Sequence, residues 1–165
     1  MSIALAESVA NQGQGFINSM AFGNGGTSVD PTGIITYLTP NSTGTNASLY
    51  NQTFTKIVDD RSVSNLDPQR NKIETRHVNG TNYTDVVVTC LLDYGEPNGQ
   101  DATDTASASD SLYVFDELGL VSFASSGTGK LLTHVVFHPV QKSLNRLIQI
   151  DYTVRVQSLT GFNEG

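Results

Sequence analysis

Apolar and polar residues alternate without a break near the end of the chain. Ile148, Ile150, Tyr152, Val154 and Val156 are separated by Gln149, Asp151, Thr153, Arg155 and Gln157. A sustained period of two predicts a β-strand with one face in a core and the other toward solvent or a partner. Residues 72–78 repeat the pattern more briefly, with Ile73, Thr75 and His77 set against Lys72, Glu74 and Arg76. Residues 83–92 contain the run Val86-Val87-Val88-Thr89-Cys90-Leu91-Leu92, apolar at both parities. Such a run predicts a central strand covered on both faces. Asn79-Gly80 lies between these two segments, a turn signal that predicts a hairpin.

Further strands are expected at 16–22, 34–38, 54–58, 112–123 and 131–137, with Gly119 as a bend or bulge and Pro139 as the stop of the last of these. Ile3, Leu5, Ala6, Val9 and Ala10 recur at helical spacing behind Ser2, which predicts a short helix over 2–11. Residues 41–50 are rich in Ser, Thr and Asn and read as a loop. Residues 95–110 form a second polar loop, longer than loops without a function or mobility usually are. Residues 96–109 within it are expected to be mobile in the isolated protein or ordered by a neighbouring subunit, because they hold no large apolar side chain. The total is about eight strands. The expectation is one all-β domain over 1–165, a mostly antiparallel β-sandwich with a short N-terminal helix and long loops.

Composition narrows the function. Only 38% of the 165 residues are hydrophobic, there is no Trp, and the net charge is −7. Nine basic residues are scattered along the chain, whereas nucleic acids and anionic membranes need clustered positive charge. Neither is expected as a partner. Cys90 is the sole cysteine, so no disulfide forms within the chain, and its apolar surroundings read as core packing rather than a nucleophile. No stretch approaches the roughly 20 apolar residues of a spanning helix. The N-terminus lacks the basic and apolar regions of a signal peptide, and the protein is expected to be made and folded in a reducing cytoplasm.

Candidate chemistry fails on geometry. His134 and His138 stand four apart, but on a strand their rings would be about 13 Å apart, too far to share a metal ion. His77 could in principle join either one, but structural histidines are the expectation. Asp116-Glu117 and Asp59-Asp60 are neighbours that a strand would turn to opposite faces, so neither pair makes a carboxylate dyad. Asp101, Asp104 and Asp110 lack the ligand spacing of a calcium loop. Gly127-Thr128-Gly129-Lys130 resembles a phosphate loop only in part, because Ala124 and Leu131 stand where glycine and a hydroxyl residue are needed. Sequons at Asn41, Asn46, Asn51, Asn79 and Asn82 read as products of composition. No catalytic, cofactor-binding or metal-binding residue is assigned, and neither a cofactor nor a small-molecule substrate is expected.

Two groups of residues carry a resemblance. Phe16-Ile17-Asn18-Ser19-Met20-Ala21-Phe22-Gly23-Asn24-Gly25-Gly26 is one; Phe115-Asp116-Glu117-Leu118-Gly119-Leu120 with Gly129-Lys130-Leu131-Leu132 is the other. Their order, from about Phe16 to Val156, resembles the adaptor domains of tailed-phage tail-fibre, collar and baseplate proteins. Asn24 stands where that pattern commonly has Asp, and the fibre shaft that often follows such a domain is not expected here. The resemblance implies a non-enzymatic virion subunit of the tail or baseplate, in contact with other virion proteins and copies of itself. Two alternatives stay open: a capsid decoration or neck protein, which would have similar composition, and a carbohydrate- or receptor-binding module, which needs an exposed aromatic platform that no loop cluster supplies, Tyr50 being the main loop candidate and Tyr94 a borderline one.

Overall fold

A computed structural model of the protein describes residues 2–10, 13–41, 47–97, 112–125, 129–143 and 145–158. The described elements are α1 (Ser2–Val9), β1 (Ile17–Gly23), β2 (Thr27–Val29), β3 (Ile35–Tyr37), β4 (Gln52–Ile57), β5 (Lys72–His77), β6 (Tyr83–Leu92), β7 (Leu112–Ser122), β8 (Leu131–Ser143) and β9 (Ile148–Gln157). The fold is all-β with one short helix. Its antiparallel sheets have the orders β4-β1-β7-β8, β5-β6-β9 and β2-β3.

The two larger sheets enclose the core. Met20 and Phe22 of β1, Phe115, Leu118 and Leu120 of β7, and Leu132 of β8 meet Val88, Cys90 and Leu92 of β6. Ile148, Ile150, Tyr152 and Val154 pack against this cluster from β9, as their alternation requires. Phe115 joins the two ends of the core, edge-on to Phe22 at 5.3 Å and to Phe137 at 5.8 Å. β6 is the middle strand of its sheet and is buried on both faces from Val87 to Leu92. Burying one large apolar side chain contributes about 1.5–3 kcal/mol, so this cluster is the principal source of stability.

β7 departs from regular alternation. Phe115 pairs with Val140 and Glu117 with Val136, leaving Asp116 unpaired opposite Phe137, His138 and Pro139. Parity inverts across this irregularity: Tyr113 and Phe115 face the core before it, Leu118 and Leu120 after it. Glu117 therefore lies on the outer face of the sheet, where Ala21, Leu49 and Val121 form a second small cluster with Leu131.

Several expectations are corrected. The bulge expected at Gly119 lies on either side of it, while Gly119 itself pairs regularly with Ala21 and His134. A Cβ there would fall 2.4 Å from Leu131 Cδ1 and 2.7 Å from Thr133 O, so close packing is what requires glycine. β8 does not stop at Pro139 but runs on to Ser143. Proline is tolerated there because the residue sits in an irregularity of an edge strand. β2 is not among the expected strands; it is short and, among the described residues, pairs only with β3. The helix covers 2–9 of the expected 2–11. The greater part of the long polar loop, from 98 onward, and residues 42–46 of the other lie outside the described residues.

Candidate functional site

The two sequence segments that carry the resemblance meet at Glu117. Its side chain is 0% exposed, as is that of His134. Glu117 Oε1 accepts from Gly25 N at 3.2 Å and Asn51 N at 2.8 Å. Oε2 accepts from Tyr50 N at 3.0 Å and His134 Nε2 at 2.8 Å. The other ring nitrogen of His134 accepts from Asn41 N at 2.7 Å. A backbone N–H can only donate, so Nδ1 is unprotonated and the ring hydrogen sits on Nε2, facing the carboxylate. Every polar atom of the pair is engaged.

Asp116 holds the adjacent turn. Its carboxylate accepts from Gly26 N at 2.8 Å, Thr27 N at 2.9 Å and the Thr27 hydroxyl. Glycine at 23 allows Glu117 to approach the same turn, since a Cβ there would lie 2.4 Å from Glu117 Oε1. Asn24 and Asn51 close the junction through Asn24 N to Asn51 O at 3.1 Å and through their side chains. Tyr50 covers it, its ring 5.5 Å from that of His134 and its hydroxyl donating to Thr39 O.

A second charged cluster lies where β6 and β8 end. Lys142 is buried, and its Nζ donates to the carbonyls of Asp93 at 3.0 Å, Glu96 at 2.9 Å and Ser143 at 2.9 Å. Burial lowers its pKa below the ordinary lysine value, against the opposing pull of the Glu96 and Asp93 carboxylates. Nearby, Lys56 Nζ binds both Glu96 oxygens, at 2.7 and 2.9 Å, and the Leu91 carbonyl. These groups border an open surface cleft of about 630 Å³ that also receives Leu66, Asp67 and Asn71. Cys90 is buried in the adjoining core, and burial pushes its thiol pKa up to about 12. It is an unreactive thiol at neutral pH.

The remaining sequence candidates are dispersed. His138 is exposed beside Tyr37, and His77 is exposed at the end of β5, against Thr84 and the Tyr83 carbonyl. Asp59 is buried and accepts from Arg61 N, while Asp60 is exposed. Asp101, Asp104 and Asp110 lie outside the described residues, as do Gly127 and Thr128. Among the described residues no three His, Cys, Asp or Glu side chains are grouped to hold a metal ion. The residues that sequence reasoning missed are Glu117, Asp116 and Lys142 as internal anchors. For the first two a signal existed: two carboxylates interrupt a strand otherwise too apolar to reach water.

No family model, curated protein or solved structure matches the chain.

Proposed function

We propose that the protein is a non-enzymatic structural subunit of a phage virion, of the tail or baseplate, acting through contacts with other virion proteins and with copies of itself. One observation carries the contact role: ionisable groups are enclosed while apolar side chains stand in water. Val63 and Leu66, on the connection between β4 and β5, are 99% and 97% exposed. Val29, Ile34, Tyr37 and Leu38 are exposed along the β2–β3 hairpin. Exposed apolar groups on projecting segments gain free energy when a neighbour covers them. The phage assignment is supported by the sequence resemblance, whose two motif groups converge on the Glu117 junction. There they shape a rigid framework and leave no polar atom of the Glu117–His134 pair free for a reaction.

The decisive experiment is mass spectrometry of purified particles, with copy number measured against the major capsid protein, combined with deletion of the gene. The expected result is DNA-filled heads that lack complete, infectious tails. Normal tails with fragile heads would favour a capsid decoration role, and unaffected particles would remove the virion assignment.

A further inference from the structure

Four strand edges bound the two larger sheets: β4 and β8 on one, β5 and β9 on the other. Unpaired edges invite another strand, and proline, lysine, bulges, shortness or a cover usually protect them. β4 is irregular against β1 at its Gln52 end and carries Lys56. β8 contains Pro139 and is approached by β2. β5 has six residues, with Glu74 in ion pairs to Lys72 and Arg76. Among the described residues β9 has no proline, lysine, bulge or covering strand, and only Asp151 and Arg155 charge it. Its ten residues include no proline, glycine or lysine, and they pair with β6 in unbroken register from Tyr83↔Gln157 to Leu92↔Ile148.

The backbone directions follow from one bond. Ser158 N donates to Asn82 O at 2.8 Å, one step beyond the last ladder pair. Hydrogen-bonded pairs alternate along an antiparallel ladder, so the even-numbered residues of β9 turn their N–H and C=O toward β6. Gln149, Asp151, Thr153, Arg155 and Gln157 turn theirs outward, and among the described residues no strand pairs with them.

This edge is complementary to itself. Antiparallel pairing about Thr153 sets Asp151 opposite Arg155 of a second copy, twice by symmetry, and Gln149 opposite Gln157. On the inner face it sets Tyr152 beside Val154 and Ile150 beside Val156, which is 46% exposed without a partner. Registers centred on Asp151 or Arg155 would instead oppose like charges, which is destabilising. Arg155 lies over β6, with Nε and Nη2 on Asp85 at 2.8 and 3.1 Å and its guanidinium 3.7 Å from the centre of the Tyr83 ring, so Asp151 of a second copy would share this guanidinium with Asp85. Among the described residues the Asp151 carboxylate meets only the Gln149 amide, at 3.3 Å and 3.5 Å.

We propose that β9 is the docking edge for a second copy of this chain, paired antiparallel about Thr153. The two three-stranded sheets then become one continuous sheet of order β5-β6-β9-β9-β6-β5. The pairing adds about ten backbone hydrogen bonds between outward-facing groups. A two-fold contact of this kind closes after two copies, leaving the β2–β3 hairpin and the 58–71 connection for other neighbours. The proposal does not rest on the virion reading.

Sedimentation equilibrium of the purified full chain is expected to give a dimer, and a monomer throughout the micromolar range overturns the proposal. Thr153→Cys is expected to yield a disulfide-linked dimer on mild oxidation, because facing residues of a hydrogen-bonded pair have Cα atoms about 5.5 Å apart. Asp151→Cys is expected to stay unlinked, since the two copies of that position are roughly 14 Å apart in this register. The buried Cys90 does not compete. Asp151→Lys is expected to weaken the dimer about tenfold or more, as two attractive pairs become repulsive. Mixing Asp151→Lys with Arg155→Glu is expected to recover a mixed dimer. A dimer that tolerates Asp151→Lys and gives no Thr153→Cys link uses another face, and the proposal then fails.

Discussion

Glu117 and Lys142 are charged side chains of opposite sign, both withdrawn from water on the same four-stranded sheet, and the backbone solvates each in a different way. Glu117 draws N–H groups from Gly25, Tyr50 and Asn51, 92, 67 and 66 residues away in sequence. Lys142 draws carbonyls from a single turn, Asp93 and Glu96, and from its neighbour Ser143. An N–H has one hydrogen to place, whereas a carbonyl has two lone pairs and is more easily satisfied in another way. Removing the carboxylate therefore orphans several enclosed donors at once. Removing the ammonium leaves carbonyls on a turn where Tyr94 is exposed and water is close. The same physical device thus has unequal consequences: one anchor joins distant segments, the other tightens a corner.

The largest expected effect is that of Glu117→Ala. It should lower stability by about 3 kcal/mol or more, because the N–H groups of Gly25, Tyr50, Asn51 and His134 lose their acceptor together and each buried donor left unsatisfied costs about 1–3 kcal/mol. Urea denaturation measures this, and a loss under about 1 kcal/mol would mean that the junction relaxes or hydrates freely.

Lys142→Met keeps most of the side-chain volume and should lower stability less, by about 1–3 kcal/mol. Its pH dependence sharpens the comparison. The folded pKa of Lys142 lies below the ordinary lysine value of 10.5, so between those two values the unfolded chain binds more protons and stability from this group rises with pH. The difference between wild type and Lys142→Met should grow across that window. A constant difference would contradict the depressed pKa.

The core beside Lys142 also holds two acids whose protons are retained on folding. Burial raises Tyr113 from 10.0 to about 12 and Cys90 from 9.0 to about 12. Here the folded state binds more protons, so their contribution is complete below pH 9 and is lost as pH rises toward 12. The slope is up to about 1.4 kcal/mol per pH unit for each group. Thermal melts from pH 8 to 11 should show the decline, and Tyr113→Phe should reduce it.

The smallest effect is on reactivity rather than stability. Cys90 should resist thiol reagents at neutral pH in the folded wild type and become labelled through unfolding, faster in Glu117→Ala than in Lys142→Met. Equal rates in the two variants would indicate that the anchors matter equally.

Much of the architecture was legible in the chain because its periods are local properties. The alternation from Ile148 to Val156 identified β9 and its core face, and the doubly apolar run at Val86–Leu92 identified a central strand. Asn79-Gly80 marked the β5–β6 hairpin, which the ladder from Lys72↔Thr89 to His77↔Thr84 contains. Gly119 and Pro139 were noticed as special but misread, since each is explained by what stands across the sheet rather than by its neighbours in sequence. Asp116 and Glu117 were examined as a dyad, and their role as anchors was invisible for the same reason.

By itself, then, the sequence determined the all-β class, the N-terminal helix, most strands and the absence of a recognisable catalytic motif. Side-chain period, turn chemistry and composition act over a few residues and need no partner to be read. Only the tertiary structure decided the strand order β4-β1-β7-β8, the inversion of parity at Asp116, the enclosure of Glu117 and Lys142, and the unprotected edge of β9. Each depends on groups far apart in the chain, and a buried charge or an open edge is defined by what folding brings to it or fails to bring.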